Sequence, residues 1–116
     1  MNIDHDLATE TCEACRKDAP RLTAQQIETL LVEVPGWQWK KAEGIDRLEK
    51  EYAFSNFLTA LAFTNKVGEM AEKRDHHPDI LTSWGRVKLT WYTHAIGGLH
   101  RNDFRCAAAS DQLYNG

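Results

Sequence analysis

Residues 72–79 (EKRDHHPD) contain the densest group of ionisable side chains in the sequence. His76 and His77 are adjacent, with Asp75 before them and Pro78 after them. An unperturbed imidazole has a pKa of about 6.5, so either histidine can accept or donate a proton at cellular pH. Pro78 disfavours helical backbone at His77, which predicts that a preceding helix ends here. The two histidines are therefore expected where a helix passes into a strand, a kind of position that often carries catalytic groups.

The same segment permits two interpretations without acid–base chemistry. Lys73 and Arg74 are favoured near a helix C-terminus by the helix dipole, so a solvated helix end explains them without any function. A metal site needs ligands that converge, but adjacent residues of an extended chain point to opposite sides. The i, i+4 histidine spacing of helical zinc sites is also missing. We therefore predict no metal site at His76 and His77, and a local twist is needed if both line one pocket.

Size and composition predict one soluble domain. The sequence has 116 residues, of which 42% are hydrophobic and 27% are charged, with a net charge of −3. One core suits this length. No apolar run reaches the length of a membrane span, and the N-terminus lacks the basic and apolar pattern of a signal peptide. We therefore predict a cytoplasmic protein without a membrane partner, and the lack of a basic block predicts no nucleic-acid partner.

Three cysteines are present, and Cys12 and Cys15 form a Cys-x-x-Cys motif. A structural zinc site normally has four ligands, and Cys106 lies far away, although His5 or a second subunit could complete such a site. A redox motif would follow a strand and open a helix, and the flanking residues predict neither. We favour two free thiols in a flexible N-terminal arm, residues 1–21.

The next part of the sequence predicts a helix followed by a hairpin. Thr23 and Gln26 have the spacing of a capping box, and apolar residues at helical spacing follow over residues 24–33. Alternating apolar and polar residues predict strands at residues 37–40 and 48–54. In the second strand, alternate residues are apolar and the residues between them include glutamates. One face of the hairpin is therefore expected to be solvated.

The longest predicted helix covers residues 56–74, with Ser55 as its N-cap. One stripe carries most of its apolar residues. Further apolar residues lie outside that stripe, so the helix has a wider apolar surface than one sheet contact buries. We therefore predict a central helix that also contributes to a homodimer or homotetramer. The predicted stripe is Phe57, Ala60, Leu61, Val67 and Ala71, and the residues outside it are Leu58, Phe63 and Met70.

The remaining sequence predicts a second hairpin, an irregular link and a last helix. If the fourth strand persists, His94 lies on the same face as Tyr92. Gly97 and Gly98 disfavour regular structure in the link. The predicted boundaries are strands over residues 80–84 and 87–93 and a helix over residues 103–113, capped by Asn102 or a neighbour.

The predicted element order is αββαββα. Two hairpins separated by helices predict an α+β fold, with a four-stranded antiparallel sheet and helices packed on one face. No second domain is expected, so residues 22–116 form one domain after the arm of residues 1–21.

The histidine segment is part of a wider set of residues at defined spacing. Residues 71–78 (AEKRDHHP) are followed by a Thr-His pair at residues 93–94 and by Gly-Leu-x3-Asp at residues 98–103. This set resembles the signature of the pterin-4a-carbinolamine dehydratases, and the αββαββα order resembles their fold. The resemblance extends from about Leu22 to the last helix and leaves out the arm with its Cys-x-x-Cys motif.

The resemblance implies an enzyme, a hydro-lyase that converts 4a-hydroxytetrahydropterin to quinonoid dihydropterin and water. Such a reaction recycles tetrahydrobiopterin for aromatic amino acid hydroxylases, as in phenylalanine hydroxylation. The implied partners are the pterin, which is the substrate, and functionally a hydroxylase; no further cofactor is implied. The matching histidines are His76, His77 and His94, and the further implied site residues are Glu72, Asp75, Tyr92, Thr93, Ala95 and Asp103.

Two candidate substrate-binding residues have structural alternatives. Trp84 either stacks on the flat pterin ring or packs in the core, which is the commoner role of a strand aromatic. Asp103 either belongs to the site or only caps the last helix, because acidic residues are favoured at a helix N-terminus.

The implied reaction suits imidazoles. Loss of water across C4a and N5 needs a proton for the hydroxyl and a base for the N5 proton, and general acid–base catalysis typically contributes about 10²–10⁴-fold. The N5 lone pair helps to expel the hydroxyl, so no metal is required. We assign protonation of the leaving hydroxyl to His76, transfer of the other proton to His94 and orientation of the pterin to His77. The sequence does not distinguish which histidine is the acid and which is the base. The alternative is a non-catalytic interaction or coactivator module of the same fold, but the presence of all three histidines favours the enzyme.

Overall fold

The computed structural model describes residues 7–12 and 19–116. The helices are α1 (Ala24–Leu31), α2 (Phe57–Arg74) and α3 (Arg101–Asn115), the strands are β1 (Gln38–Ala42), β2 (Ile45–Ala53), β3 (Asp79–Ser83) and β4 (Arg86–Trp91), and short 3₁₀ turns cover Leu7–Thr9 and His94–Ile96. The strands form one antiparallel sheet in the order β1-β2-β4-β3. The predicted αββαββα order and the α+β class are therefore confirmed.

Alternation along the strands separates a buried sheet face from an open one. Leu48 of β2 pairs with Trp91 of β4, and Tyr52 pairs with Val87. All four side chains are buried in the core under α2 and α3. Burying a large apolar side chain contributes about 1.5–3 kcal/mol, so this parity decides which face the helices cover. The glutamates of β2 have the other parity, as the sequence predicts.

The helix α2 begins one residue later than predicted. Asn56 is its N-cap, and the Asn56 Oδ1 atom accepts a hydrogen bond of 2.8 Å from the Thr59 N–H group. The prediction that Ser55 is the cap was wrong. Serine and asparagine are about equally good caps, so residue type alone does not distinguish the two neighbours.

The buried stripe of α2 also differs from the predicted one. Phe63 is 4% exposed, although it was placed outside the stripe, and the predicted members Phe57 and Leu61 are exposed. The helix carries apolar residues on more than one side, so its packing against the sheet and α3 decides which side is buried. The residues of α2 that are buried are Ala60, Phe63, Val67 and Ala71.

The link after β4 folds back on itself. The Thr93 N–H group donates to the Gly98 carbonyl at 2.8 Å, and Gly97 has a left-handed φ of 61°. His94 therefore begins a 3₁₀ turn, so the fourth strand does not persist to this residue, although the His94 ring still lies beside that of Tyr92. This closed link brings the chain directly to the start of α3.

Both outer helices begin with a capping box. The predicted pair at Thr23 and Gln26 is confirmed for α1. For α3 the cap is His100, two residues before the Asn102 named by the prediction, and Asp103 completes the box. Within the described residues, no helix is both long and apolar enough to cross a bilayer.

Residues 7–12 of the predicted arm lie against α3. Leu7 and Ala8 are buried there. His5 and Cys15 lie outside the described residues, and the division into an arm and a domain stays a prediction.

Candidate active site

The junction after α2 sends two neighbouring histidines into different surroundings. Asp75 has a left-handed backbone (φ 54°, ψ 41°), and the His76 N–H group donates to the Ala71 carbonyl at 3.1 Å. Aspartate tolerates this region better than most residues. The turn ends the helix within the histidine segment, as predicted, and β3 begins at Asp79. His76 is buried after this turn, whereas His77 is exposed.

Asp103 is the centre of the buried part of the site. Its side chain is fully buried, and its Oδ1 atom lies 2.6 Å from Nε2 of His76. Because an ionised carboxylate can only accept, Nε2 carries the proton of this hydrogen bond. The Oδ2 atom accepts from the Thr93 hydroxyl at 2.7 Å and from the His100 N–H group at 2.9 Å. Asp103 therefore caps α3 and joins three separate segments at once.

The surroundings of His76 favour its protonated form. Burial alone would lower the pKa of His76, but the hydrogen bond and the negative charge of Asp103 outweigh burial, so the pKa is raised above 6.5. Cys12 and Asp75 act in the same direction. A carboxylate beside an imidazole stabilises the imidazolium and fixes its orientation, the arrangement found behind many acid–base histidines.

Trp91 is a member of this site that the sequence did not identify. Its indole ring stacks on the His76 ring, with centroids 5.6 Å apart and planes 13° apart. Trp91 lies on the buried face of β4, but its contact with a residue of the helix–strand junction depends on tertiary packing. Asp103 and Trp91 together hold the imidazole plane.

His77 forms a surface pair. Its Nε2 atom lies 2.8 Å from Oε1 of Glu72, one helical turn earlier. Both side chains are more than half exposed, so the pair adds little to stability. It does orient the ring at the rim of the junction.

His94 lies on the exposed side of the closed link. Its ring centroid is 4.3 Å from that of Tyr92. The Arg47 guanidinium also lies over the Tyr92 ring, 4.5 Å from its centroid. His94 directly follows Thr93, whose hydroxyl bonds to Asp103. One carboxylate thus connects the backbone that carries His94 to the His76 ring, and neither Arg47 nor this stack was identified from the sequence.

The other candidate residues lie at different distances from Asp103. Ala95 is exposed in the same turn as His94, and Asp75 is exposed beside His76. Trp84 is in the turn between β3 and β4, and 73% of it is exposed, so the expected core packing was wrong. That turn is at the far end of the hairpin from Trp91, roughly 15 Å away at about 3.3 Å per residue. Within one chain, Trp84 is therefore separate from the group around Asp103.

No three His, Cys, Asp or Glu side chains within residues 7–12 and 19–116 are arranged to hold one ion. A site without a metal stays a prediction.

Sequence comparisons give the same family over most of the chain. A family model described as "Pterin 4 alpha carbinolamine dehydratase" matches residues 20–113. A protein of Saccharophagus degradans, named "Putative pterin-4-alpha-carbinolamine dehydratase", is 48% identical over 111 residues, which are 96% of this chain and 98% of that protein. A Vibrio vulnificus protein with the same name is 54% identical over 102 residues, which are 88% of this chain and 93% of that protein.

Two solved structures are similar in fold. The "transcriptional coactivator/pterin dehydratase" of Brucella melitensis has a TM-score of 0.73 and 31% identity, and the match covers 81% of this chain and 98% of that chain. A pterin dehydratase-like protein described as a RuBisCO assembly factor of the alpha-carboxysome has a TM-score of 0.58 and 22% identity, covering 68% and 89%. The second likeness concerns the fold alone.

Proposed function

The chain belongs to the pterin-4-alpha-carbinolamine dehydratase family, and we propose that it is an active dehydratase that converts 4a-hydroxytetrahydropterin to quinonoid dihydropterin and water. One observation carries the proposal. His76 is a buried imidazole that keeps a proton on Nε2 through Asp103 and is stacked on Trp91. A protonated, oriented imidazole is the group that a poor hydroxyl leaving group requires.

In the proposed reaction, His76 supplies the proton to the 4a-hydroxyl. The raised pKa of His76 supports this role, because the imidazolium is then well populated near neutral pH. As the C4a–O bond breaks, the N5 lone pair forms the C4a=N5 double bond and water leaves. Asp103 acts as a positioning residue that stabilises the imidazolium. Since Nε2 bonds to Asp103, the transferred proton comes from Nδ1.

His94 completes the proposed reaction by accepting the N5 proton. It lies on a separate segment, and its ring is exposed, so a flat substrate can reach it. His77 and Glu72, which form the exposed pair at the rim, orient the pterin. Asp75, Tyr92, Thr93 and Ala95 remain proposed pterin contacts. Trp84 belongs to this proposal only if a second subunit brings it to the site.

An assay of quinonoid dihydropterin formation tests the proposal. The 4a-hydroxy adduct is generated in place by an aromatic amino acid hydroxylase, and its decay is followed with and without the protein. We expect acceleration by the wild type and a loss of about 10²-fold or more in His76→Ala and in His94→Ala. Lys73→Ala, exposed on the last turn of α2, is the matched control and keeps full activity. Full activity in both histidine variants would contradict the assigned roles.

The alternative of a non-catalytic interaction module is supported by exposed apolar residues on α2. Phe57 is 45%, Leu58 73% and Leu61 38% exposed, which is unusual for three large side chains within two turns. We propose that this surface serves a homodimer or homotetramer, and that the functional link to a hydroxylase passes through the pterin. A wild type that fails to accelerate dehydration would favour the interaction module instead.

A further inference from the structure

Two cysteines from opposite ends of the sequence lie together in the fold. The Sγ atoms of Cys12 and Cys106 are 3.9 Å apart, although the residues are 94 positions apart in the sequence. Both are free thiols; Cys106 is buried in α3, and Cys12 is partly exposed. The Cys-x-x-Cys pattern suggested a relationship between Cys12 and Cys15. The structure gives Cys12 a different neighbour.

The arm segment that carries Cys12 is fixed by charged side chains. The Arg74 guanidinium donates to the carbonyls of Ala8 at 2.7 Å and Glu10 at 3.2 Å, and also contacts Cys12 Sγ at 3.5 Å. The Glu10 carboxylate accepts from Arg101 at 3.0 and 2.9 Å and from Arg105 at 2.7 Å. Residues 8–12 are therefore bound both to the end of α2 and to the first turns of α3.

These contacts also surround the Glu10 carboxylate with positive charge. The hydrogen bonds and charges of Arg101 and Arg105 lower the pKa of Glu10 to about 2, against the opposing effect of burial. Glu10 is ionised throughout the physiological range and therefore binds Arg101 and Arg105 at neutral pH. The proximity of the two sulfurs is thus a property of the fold and does not depend on one weak contact.

The two thiols are electrostatically unequal. The hydrogen bond from Cys106 and the nearby Arg74 guanidinium lower the pKa of Cys12 to about 6, despite burial. Interaction with Cys12 and burial raise the pKa of Cys106. At neutral pH one sulfur is a thiolate and its neighbour keeps the proton, which is how an attacking and a resolving cysteine differ.

We propose that Cys12 and Cys106 form a redox modification site, in which Cys12 attacks a low-molecular-weight disulfide and Cys106 resolves the adduct to an intramolecular disulfide. The Cys12 thiolate attacks one sulfur of the disulfide RSSR, which gives Cys12–S–S–R and releases RS⁻. Cys106 then gives its proton to the released RS⁻ and attacks Sγ of Cys12, and the second RS⁻ leaves. The protein dithiol is oxidised, and RSSR is reduced to one thiol and one thiolate.

Closing the bond requires a small movement. A disulfide has an S–S distance of about 2.05 Å, so the sulfurs must approach by roughly 2 Å. Cys12 is partly exposed and lies outside the helices and strands, so a change in its side-chain torsion angles can bring its sulfur toward Cys106, which is buried in α3. The bond would then link the arm to α3 one turn after Asp103, while Arg74 precedes the His76 junction directly. Oxidation therefore fixes the arm to both elements that hold the buried site.

Peptide mapping of the full chain after oxidation tests the proposal. The reduced protein is treated with oxidised glutathione near pH 7.5, alkylated, digested without reduction and analysed by mass spectrometry. We expect a Cys12–Cys106 linkage that a dithiol reductant reverses, and a rise in the melting temperature of roughly 5 °C or more. Cys15→Ala is the matched control and gives the same linkage and the same rise.

Variants separate the two steps of the reaction. Cys106→Ala stops at a glutathione adduct on Cys12 without the rise in melting temperature. Arg74→Gln lowers the rate at which iodoacetamide alkylates Cys12 at pH 7 by several-fold, because less thiolate is present. If Cys106→Ala fails to fold, the wild-type peptide map still decides. A Cys12–Cys15 linkage, or a glutathione adduct that persists on Cys12 in the wild type, would overturn the proposal.

Discussion

The two carboxylates of α3 show how one helix serves two different purposes. Asp103 in its first turn binds His76, the Thr93 hydroxyl and the His100 N–H group. Asp111, two turns later, accepts from Lys50 at 2.8 Å, from the Tyr52 hydroxyl and from the Trp37 indole at 3.1 Å. Each carboxylate joins α3 to other parts of the fold. The difference lies in what their partners do near neutral pH.

Two partners of Asp111 keep their protons across the physiological range. The Trp37 indole N–H does not ionise there, and burial together with Asp111 raises the pKa of Tyr52. The partner of Asp103 is a histidine, whose protonation changes near neutrality. The Asp111 end is therefore an anchor between α3 and the sheet, whereas the Asp103 end holds an imidazole by Nε2 and leaves its Nδ1 atom to exchange a proton. Similar geometry thus gives stability at one end and, in the proposed function, acid–base catalysis at the other.

The substitution Asp103→Asn is expected to have the largest effect. The amide NH₂ cannot accept, so at least one of the three donors loses its acceptor inside the protein, and the charge opposite His76 disappears. We expect a loss of about 2–4 kcal/mol in the free energy of unfolding and at least about 10²-fold in kcat/KM. Urea unfolding and the dehydratase assay measure the two. Wild-type activity in this variant would remove Asp103 from the mechanism.

Asp111→Asn tests the other end of the comparison. It keeps the shape of the side chain but removes the charge facing Lys50, so we expect a loss of about 1–3 kcal/mol in the free energy of unfolding. Activity per folded molecule stays at the wild-type value, because none of its partners contacts Asp103. A fall in kcat comparable with that of Asp103→Asn would show that the two ends are not separate.

The pH dependence of stability distinguishes the ends without changing either carboxylate. The pKa of His76 is raised in the folded protein, so its stabilising contribution is complete below the unfolded-state pKa and is lost as pH rises through the folded-state pKa. We therefore expect the free energy of unfolding to decline as pH rises. The decline should disappear in His76→Gln, because glutamine keeps a donor toward Asp103 but does not titrate.

The measurement uses urea unfolding from pH 5.5 upward. The reference protein and the His76→Gln variant both carry Cys12→Ser. The pKa of Cys12 is lowered to about 6, so its ionisation would raise the free energy of unfolding with pH over the range in which the His76 contribution falls. Parallel stability curves for the two proteins would contradict a raised pKa at His76.

His77→Ala is expected to have the smallest effect on stability. Its pair with Glu72 is exposed, so the free energy of unfolding changes by less than about 0.5 kcal/mol. If His77 orients the pterin, KM rises while the fold is unchanged. A destabilisation as large as that of Asp111→Asn would mean that His77 is part of the core, and an unchanged KM would exclude it from binding.

Local sequence signals predicted most of the fold. Alternation in β1 and β2, the capping box at Thr23 and the proline after the histidines each act over a few residues, and each was confirmed. Errors arose where local signals were equal or absent. Ser55 and Asn56 are both good caps, and α2 has apolar residues on more than one side, so the choice of Phe63 over Phe57 depended on what the helix packs against.

The site was predicted as a set of residues but not as an arrangement. The spacing of His76, His94 and Asp103 could be recognised, whereas the division of labour between adjacent histidines could not. His76 bonds to a residue 27 positions away, and Cys12 contacts a residue 94 positions away. Such pairs depend on how α2, α3 and the arm dock together, which no local pattern contains.

The sequence by itself determined the order of elements, the sheet parity and the residues able to carry protons, because these follow from side-chain type and from spacing over one or two turns. Only the tertiary structure decided that His76 is buried against Asp103 and Trp91 and that His77 is exposed. It also decided that Trp84 is exposed and separate from the group around Asp103. The reason is physical: burial and the pKa of a group are set by atoms that approach from other segments of the chain.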